Sequence, residues 1–277
     1  RTTNLTTERK SFYSPGDLIS QVLDLLEKAG EVDYVTFVPD GEPTLDVNLG
    51  SEAMLLKKSA GVKLAVLSNS SLTWMEEVRR DLMLFDAVSL KLDSVVQNTW
   101  RRINRPHPSL DLNRILEGIS TFSRSYRGLL MTETMLVHNL NTNPNELRDL
   151  VSYLSEIRPS RVYISVPIRP PAESWVEKPS EEELIRAYRL FHDELGESVH
   201  LLIEHEEGFS LVGSPEEFIL ATSSVHPLML EQAYELARAG GEDPELLVSR
   251  LVREGRILIK EYCGKKFVVR ASKPRSD

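Results

Sequence analysis

Polar residues able to bind a charged small molecule follow three apolar runs of the chain. They are Asp40, Gly41, Glu42 and Pro43 after the first run, Ser68 and Asn69 after the second, and Lys91 and Asp93 after the third. Carboxylates, an ammonium group, an amide and a hydroxyl supply both donors and acceptors for charge-assisted hydrogen bonds. Glycine beside a carboxylate also lets the backbone approach a ligand closely. This set predicts a polar pocket at the ends of these runs.

Each of these residues also has a purely structural interpretation. Asp-Gly-Glu-Pro is a good turn by composition alone, and Ser68-Asn69 can cap the helix that follows. Glu133 lies inside another apolar run, and its pairing with Lys91 can be an ion pair that only holds the fold together. Both interpretations remain open at the level of the sequence.

Apolar runs without alternation recur along the first two thirds of the chain. The predicted strands are 32–38, 62–68, 86–92, 129–137, 161–168 and 198–205. The predicted helices between them begin at Pro15 and near 50, 72, 110, 144 and 180. Continuous apolar strands that alternate with helices indicate a parallel α/β sheet, whose strands gather functional residues at their carboxyl ends. A partial or full barrel and a doubly wound sheet both fit, and no G-x-G-x-x-G dinucleotide fingerprint follows any strand.

Composition limits the class of protein. Of the 277 residues, 41% are hydrophobic and 27% are charged, with a net charge of −9. No apolar stretch approaches the roughly 18 residues of a membrane span, so we expect no membrane association. The single cysteine, Cys263, excludes an intrachain disulfide and fits a cytoplasmic protein. The six histidines show no metal-ligand spacing, so they are expected to be surface or core residues.

The pattern changes near Gly213. Three helical segments, 215–224, 226–241 and 243–255, precede a β-hairpin centred on Cys263. This is the order of a winged-helix domain, and we expect domains at 1–207 and 208–277. Basic residues outnumber acidic ones from Arg250 onward, which predicts a surface for a nucleic-acid backbone. The predicted contacts are Arg250, Arg253, Lys260, Lys265, Lys266 and Arg270.

The order of the strand-end motifs resembles the radical S-adenosylmethionine (SAM) superfamily. The motifs are YVTFVPDGEPTL, VLSNSS, VSLKLDS, INRPHPSLDLNRILEGI, ETMLV and VYISVPIRPPAESWV. They are most similar to iron–sulfur oxidoreductases related to the enzymes of tRNA wyosine synthesis, over roughly residues 1–205. The resemblance implies a partial (β/α)6-type barrel that binds SAM and a [4Fe–4S] cluster. Such enzymes cleave SAM reductively to methionine and a 5′-deoxyadenosyl radical, with an electron donor as partner.

The resemblance also implies roles for individual residues. The turn at Asp40–Pro43 should bind the SAM ammonium group, with Glu42 adding a charged contact. Ser68, Asn69, Lys91 and Asp93 should bind the ribose hydroxyls or the methionyl carboxylate, and Glu133 should face the site. The stretch from Val166 to Arg169 should pass the adenine.

One part of the resemblance is missing from this sequence. The three cluster cysteines, spaced C-x-x-x-C-x-x-C, are not present, and Cys263 cannot replace them. We expect them upstream of Arg1, and we expect the chain without them to be inactive.

The substrate follows less directly from the sequence. The wyosine relation and the basic C-terminal segment favour tRNA or another RNA, although winged helices also contact proteins and an acidic body repels phosphate. One alternative is a nucleic-acid-binding regulator whose α/β barrel senses a ligand. Another is an α/β-barrel enzyme without a cluster.

Overall fold

The computed structural model describes residues 5–38, 41–202, 211, 213–225 and 227–271. They fall into two compact units, Arg1–Pro167 with Glu173–Ile203, and Ile168–Ala172 with Glu204–Asp277, as far as these ranges are described. No helix among the described residues combines the length and the apolar character that crossing a membrane requires.

The first unit is built on a six-stranded parallel sheet. Its strands are β1 (Tyr34–Phe37), β2 (Lys63–Ser68), β3 (Ala87–Lys91), β4 (Leu129–Met135), β5 (Arg161–Ser165) and β6 (Val199–Leu202). The spatial order β1-β2-β3-β4-β5-β6 follows the chain without a reversal. Since right-handed crossovers in one direction place every connection on the same side, this order excludes the doubly wound alternative. Strand neighbours are therefore also sequence neighbours, which brings successive strand ends together.

In the described part of this unit one helix precedes the first strand and six helices connect successive strands. They are α1 (Pro15–Ala29), α2 (Leu49–Ala60), α3 (Glu76–Leu82), α4 (Gln97–Asn104), α5 (Leu112–Ser125), α6 (Pro144–Ile157) and α7 (Glu181–Leu195), with a short 3₁₀ turn at Pro43–Leu45. Alternate strand residues such as Val66, Leu90 and Ile164 are fully buried in one apolar core with Ile119 and Phe122 of α5. The helices thus cover one face of the sheet.

Several predicted bounds need correction. The helix expected at 72–85 is shortened to Glu76–Leu82, and α4 was not predicted. The strand expected at 161–168 ends at Ser165, ahead of Pro167, which has no N–H to donate to the sheet. The last strand is Val199–Leu202, and residues 203–205 of the expected strand lie outside the described part of the chain.

The second unit contains three helices and a small antiparallel sheet. The elements are α8 (Pro215–Val225), β7 (Leu228–Met229), α9 (Leu230–Ala239), α10 (Pro244–Arg253), β8 (Ile257–Tyr262) and β9 (Lys265–Arg270). The helix expected from His226 begins instead at Leu230, because Leu228 and Met229 pair with β9. The predicted hairpin is present, and Cys263 and Gly264 have φ of 48° and 71°. Positive φ at both central residues suits a two-residue hairpin turn. The strand order is β7-β9-β8.

Candidate functional site

The carboxylate of Glu42 joins the carboxyl ends of β1 and β2. Its Oε1 accepts hydrogen bonds from the Thr44 backbone N at 3.1 Å, Thr44 Oγ1 at 2.6 Å and Ser68 Oγ at 2.7 Å. Its Oε2 accepts from the Asn69 backbone N at 2.7 Å. Glu42 is only 9% exposed. Hydrogen bonds therefore join the motif around Glu42 to the motif Ser68-Asn69.

Burial raises the pKa of Glu42, and the hydrogen bonds from Thr44, Asn69 and Ser68 oppose that rise. Gly41, with φ of 147°, precedes it, and Pro43 opens the 3₁₀ turn. Asp40 lies outside the described residues. The motif is thus a turn, as its composition predicts, but a turn with a buried carboxylate at its centre.

Ser70 connects these two motifs to the end of β3. Its hydroxyl donates to the Lys91 backbone O at 2.9 Å, and its backbone N donates to Ser68 Oγ at 3.0 Å. Ser70 is buried and has φ of 66°, the left-handed region that few non-glycine residues adopt. Such strained backbone is found most often where the surrounding structure holds a functional site in place.

Lys91 lies between two carboxylates. Its Nζ is 3.2 Å from Asp93 Oδ1 and 3.5 Å from Glu133 Oε1. Burial acts to lower the pKa of Lys91, but Asp93 and Glu133 outweigh it and raise the pKa above its ordinary value. The Lys91–Glu133 ion pair considered from the sequence is therefore present, and Lys91 carries its charge here.

Asp93 is bonded through both its side chain and its backbone. Its Oδ1 accepts from the Met135 backbone N at 2.8 Å, and its Oδ2 accepts from Asn104 Nδ2 at 2.7 Å. Its backbone O accepts from Asn141 Nδ2 at 2.9 Å, and Asn141 also donates to the Met135 backbone O. Asp93 is 1% exposed. The end of β3 is thus fixed to the end of β4 and to the end of α4.

Glu133 extends the connection to the fifth strand. Lys91, Glu133 and Tyr163 share one register across β3, β4 and β5, and Ser165 Oγ donates to Glu133 Oε1 at 2.8 Å. Val166 follows directly and is 8% exposed. Arg169 lies in the segment grouped with the second unit.

The structure therefore brings together the predicted residues of four strand ends. Glu42, Ser68, Asn69, Lys91, Asp93 and Glu133 form one continuous chain of contacts at the carboxyl edge of the sheet. The predicted site residues did not include Thr44, Ser70, Asn104, Asn141 and Ser165. Thr44 and Ser70 lie within the strand-end motifs but were given no role, whereas Asn104 belongs to the helix that was not predicted.

A second carboxylate holds the loop after β4. Glu183, in the first turn of α7, accepts from Thr142 Oγ1 at 2.5 Å and from the Ser180 backbone N at 2.8 Å, and it contacts His138 Nδ1 at 2.6 Å. Burial acts to raise the pKa of Glu183, but bonds from Thr142, His138, Ser180 and Asn139 lower it to about 2. An ionised Glu183 therefore anchors the loop that follows the Glu133 strand.

The predicted basic residues of the second unit differ in their surroundings. Arg250 forms ion pairs with Glu216 and Glu242, at 2.8 Å and 3.7 Å. Lys260, Lys265 and Lys266 are exposed on the hairpin, while Arg270 is half-buried near its end. Arg253 is exposed at the end of α10. The exposed basic residues of this unit therefore concentrate on the hairpin, whereas Arg250 is paired with glutamates.

The described part of the chain offers no metal site formed by its own side chains. No group of three or more His, Cys, Asp or Glu side chains suited to a metal ion occurs in the described part of the chain. The one cysteine, Cys263, is exposed in the hairpin turn of the second unit. The residues present therefore do not fit an iron–sulfur cluster, whereas the polar residues at the sheet edge fit an organic ligand such as SAM.

The chain is similar in fold to solved structures that include a radical SAM methyltransferase. A radical SAM methyltransferase from Sphaerobacter thermophilus matches 70% of this chain and 59% of that chain, with a TM-score of 0.53 at 14% identity. SuiB from Streptococcus suis, solved bound to S-adenosylmethionine, matches 70% of this chain and 44% of that chain, with a TM-score of 0.52 at 13% identity. At these identities the likeness is one of fold.

The chain belongs to the UPF0026 family. It is 39% identical to UPF0026 protein MJ1312 of Methanocaldococcus jannaschii, over 99% of this chain and 86% of that relative. It is 34% identical to a UPF0026 protein of Helicobacter pylori, over 78% of this chain and 70% of that relative. No family model matches the chain.

Proposed function

We propose that this protein is a radical SAM enzyme, an iron–sulfur oxidoreductase in the broad sense. The supporting observation is the contact chain from Glu42 to Glu133 at one edge of the sheet, in a fold shared with radical SAM enzymes. In this proposal one electron from a donor breaks a C–S bond of SAM. The products are methionine and a 5′-deoxyadenosyl radical that removes a hydrogen atom from the substrate.

Charge complementarity supports SAM as the ligand. Glu42, Asp93 and Glu133 supply three carboxyl groups to this edge, against the single ammonium of Lys91. SAM carries a positive sulfonium and a positive α-ammonium group, so an acidic edge favours it. Lys91 supplies the positive group that a methionyl carboxylate needs.

The proposal includes a [4Fe–4S] cluster bound by three cysteines that this sequence does not contain. Such a cluster would supply the electron for SAM cleavage. The residues of this chain would bind and orient SAM, and Asp93, fixed by Asn104 and the Met135 amide, would keep its carboxylate in one position.

We further propose that the substrate is an RNA, with tRNA as the candidate, in keeping with the resemblance to wyosine-type enzymes. The exposed lysines of the hairpin support this, because a positive turn suits a phosphate backbone. The helices and the sheet of order β7-β9-β8 support a winged-helix interpretation of the second unit.

SAM cleavage by a form of the protein that contains the expected cysteine motif tests the proposed function. After anaerobic reconstitution with iron and sulfide, dithionite should produce 5′-deoxyadenosine, measured by chromatography. Asp93→Asn should weaken SAM binding roughly 10-fold or more, because the buried carboxylate positions Lys91 and the charged hydrogen bond it would lose contributes about 1.5–3 kcal/mol. Asp193→Asn, on the exposed surface of α7, is the matched control.

Two results would overturn the proposal. One is the absence of 5′-deoxyadenosine from protein with a confirmed cluster. The other is equal SAM affinity in Asp93→Asn and Asp193→Asn when both variants melt like the parent. Salt-dependent RNA binding without SAM cleavage would instead indicate a nucleic-acid-binding regulator.

A further inference from the structure

Four side chains stand in one row across the sheet face that the helices do not cover. The strand register pairs Lys91 with Glu133, Glu133 with Tyr163, and Tyr163 with His200. Residues paired in register project from the same side of a sheet, and their strand neighbours project from the other. The neighbours Leu90, Val162 and Ile164 are buried in the core beneath the helices. The row therefore lies on the open face, continuous with the candidate SAM site.

The far end of this row is aromatic. The rings of Tyr163 and His200 have their centroids 5.5 Å apart and are inclined by 37°. Tyr163 is half-buried and His200 is exposed. Arg161, two residues before Tyr163 and so on the same face, donates from Nη1 to the Tyr163 hydroxyl at 3.2 Å. That hydrogen bond raises the pKa of Arg161, so its guanidinium stays charged.

Packing alone does not account for this arrangement. Tyr126 shows what a core tyrosine looks like in the same unit: it is 7% exposed, and its hydroxyl donates to the Phe85 backbone O at 2.9 Å. Tyr163 lies outside the apolar core, and the partner of its hydroxyl is an exposed arginine. Arg161 and His200 are exposed and Tyr163 is only half-buried, so a ligand can reach this group of side chains.

We infer that Tyr163, His200 and Arg161 form a subsite for a planar heteroaromatic ring of the substrate, a nucleobase. This inference rests on the proposed function, because the ring would then lie in the same row as Lys91 and Glu133. Tyrosine and histidine rings stack on bases through their π-faces. A planar guanidinium donates to ring acceptors or to a neighbouring phosphate, and it also stacks. Met131, paired in register with Arg161, adds an apolar contact on the same face.

Binding of guanosine 5′-monophosphate tests the subsite, and it requires no cluster. Calorimetry is performed with this nucleotide and with ribose 5-phosphate, which has the sugar and phosphate but no ring. Tyr163→Ala should weaken nucleotide binding about 10-fold or more, because stacking contributes roughly 1–3 kcal/mol per base. Tyr163→Phe keeps the ring and should stay within about 3-fold of the parent. Tyr13→Ala, which removes a tyrosine that is 60% exposed on the N-terminal segment, should change nothing.

His200→Ala provides a second measurement if Tyr163→Ala does not fold, as judged by its thermal melting. It removes an exposed ring, and it should also weaken nucleotide binding. Equal affinity of the parent, Tyr163→Ala and His200→Ala would overturn the subsite, as would equal affinity for ribose 5-phosphate and the nucleotide. If SAM displaces the nucleotide and Tyr163→Ala loses SAM, the ring bound there is the cofactor's adenine and the substrate assignment is overturned.

The two proposals fail separately. A protein that cleaves SAM but does not bind the nucleotide through Tyr163 keeps the proposed function and loses the subsite. A protein that binds the nucleotide through Tyr163 but produces no 5′-deoxyadenosine loses the proposed function and keeps a base-binding surface.

Discussion

At the scale of single residues, Glu42 can have two roles, holding the turn in place and contacting a ligand. Its carboxylate accepts four hydrogen bonds from Thr44, Ser68 and Asn69, three of them on Oε1. Oε2 accepts one hydrogen bond from the described residues, so it can accept a further donor. Glu42 can therefore fix the turn and contact a ligand with the same group.

Glu42→Gln should weaken both SAM binding and the fold. An amide presents a donor where Asn69 N or Ser68 Oγ needs an acceptor, so we expect losses of about 1.5–3 kcal/mol in each. Calorimetry with SAM measures the first, and urea unfolding measures the second. Glu194→Gln, an exposed exchange on α7, serves as the control. Unchanged SAM affinity would leave Glu42 as a structural residue of the turn.

Glu52 on α2 is a buried acid that destabilises the fold at neutral pH. It is 3% exposed, and its Oε1 has no hydrogen-bond partner among the described residues. Burial, with a smaller contribution from Asp46, raises the pKa of Glu52 from 4.5 to about 7. The folded state thus keeps a proton that the unfolded state loses, and stability falls as pH rises from 4.5 to about 7.

Glu52→Gln should therefore stabilise the protein at about pH 8, by on the order of 2 kcal/mol. Well below pH 4.5, Glu52 is protonated in both states of the parent, and the two proteins should be nearly equal. Urea unfolding across this pH range measures the difference. Glu117→Gln, exposed on α5, should show no such dependence. A variant less stable than the parent at pH 8 would contradict the expectation.

At this scale the sequence predicted the strand-end residues but not their partners. Glu42, Ser68, Lys91 and Asp93 were predicted because each follows an apolar run. Asn104 and Asn141 were not, because a hydrogen bond to a residue more than ten positions away leaves no local pattern.

At the scale of elements, Gly118 lets α5 pack closely against the backbone of Thr73 and Trp74. A Cβ built on this glycine would lie 2.3 Å from the Thr73 backbone O and 2.6 Å from the Trp74 backbone N. The Thr73 hydroxyl also donates to the Ser70 backbone O and to the Ile115 backbone O. The helix therefore touches the loop that carries Ser70 directly.

Gly118→Ala should destabilise the protein by about 1–3 kcal/mol, because the backbone must move to admit the methyl group. Gly16→Ala in the first turn of α1 is the matched control, since its Cβ would meet nothing closer than Ser14 Oγ at 4.0 Å. An added alanine there should be neutral or stabilise by up to about 1 kcal/mol. Thermal melting of both variants measures the contrast. Equal melting temperatures would show that the Thr73 loop yields without cost.

The elements were predicted where hydrophobic periodicity is strong. The six parallel strands and the C-terminal hairpin followed from apolar runs and turn residues. Helix α4 was missed because it contains only Trp100 and Ile103 as large apolar residues among its eight positions. Strand β7 has only two residues and forms because β9 offers it a partner, which a local pattern cannot show.

Charge is unequally distributed at the scale of the whole molecule. The net charge of −9 belongs to the chain before Ser214, whereas basic residues predominate from Arg250 onward. Glutamates 216 and 242 neutralise part of that charge by pairing with Arg250. The proposed binding of an RNA backbone would therefore depend on the exposed hairpin lysines, Lys265 and Lys266.

Replacing Lys265 and Lys266 by Glu should weaken RNA binding and reduce its salt dependence by up to about two units of slope. Titration of a labelled tRNA at several salt concentrations measures both quantities. The control is the double variant Lys28→Glu with Lys58→Glu, on exposed helix surfaces of the first unit. It changes the total charge by the same amount as the hairpin variant, and it should leave the salt dependence of RNA binding nearly unchanged. If both double variants behave alike, the hairpin is not the RNA contact.

The hydrogen bond from the Asn69 amide to Glu42 has a consequence for hydrogen exchange. An amide just past the end of a strand ordinarily exchanges with solvent quickly, because chain ends and loops open at little cost in free energy. This amide instead faces a carboxylate that is 9% exposed, at 2.7 Å. It can exchange only when the turn at Pro43–Leu45 moves away from β2. The exchange rate of this single amide therefore reports how often the Glu42 turn separates from the end of β2.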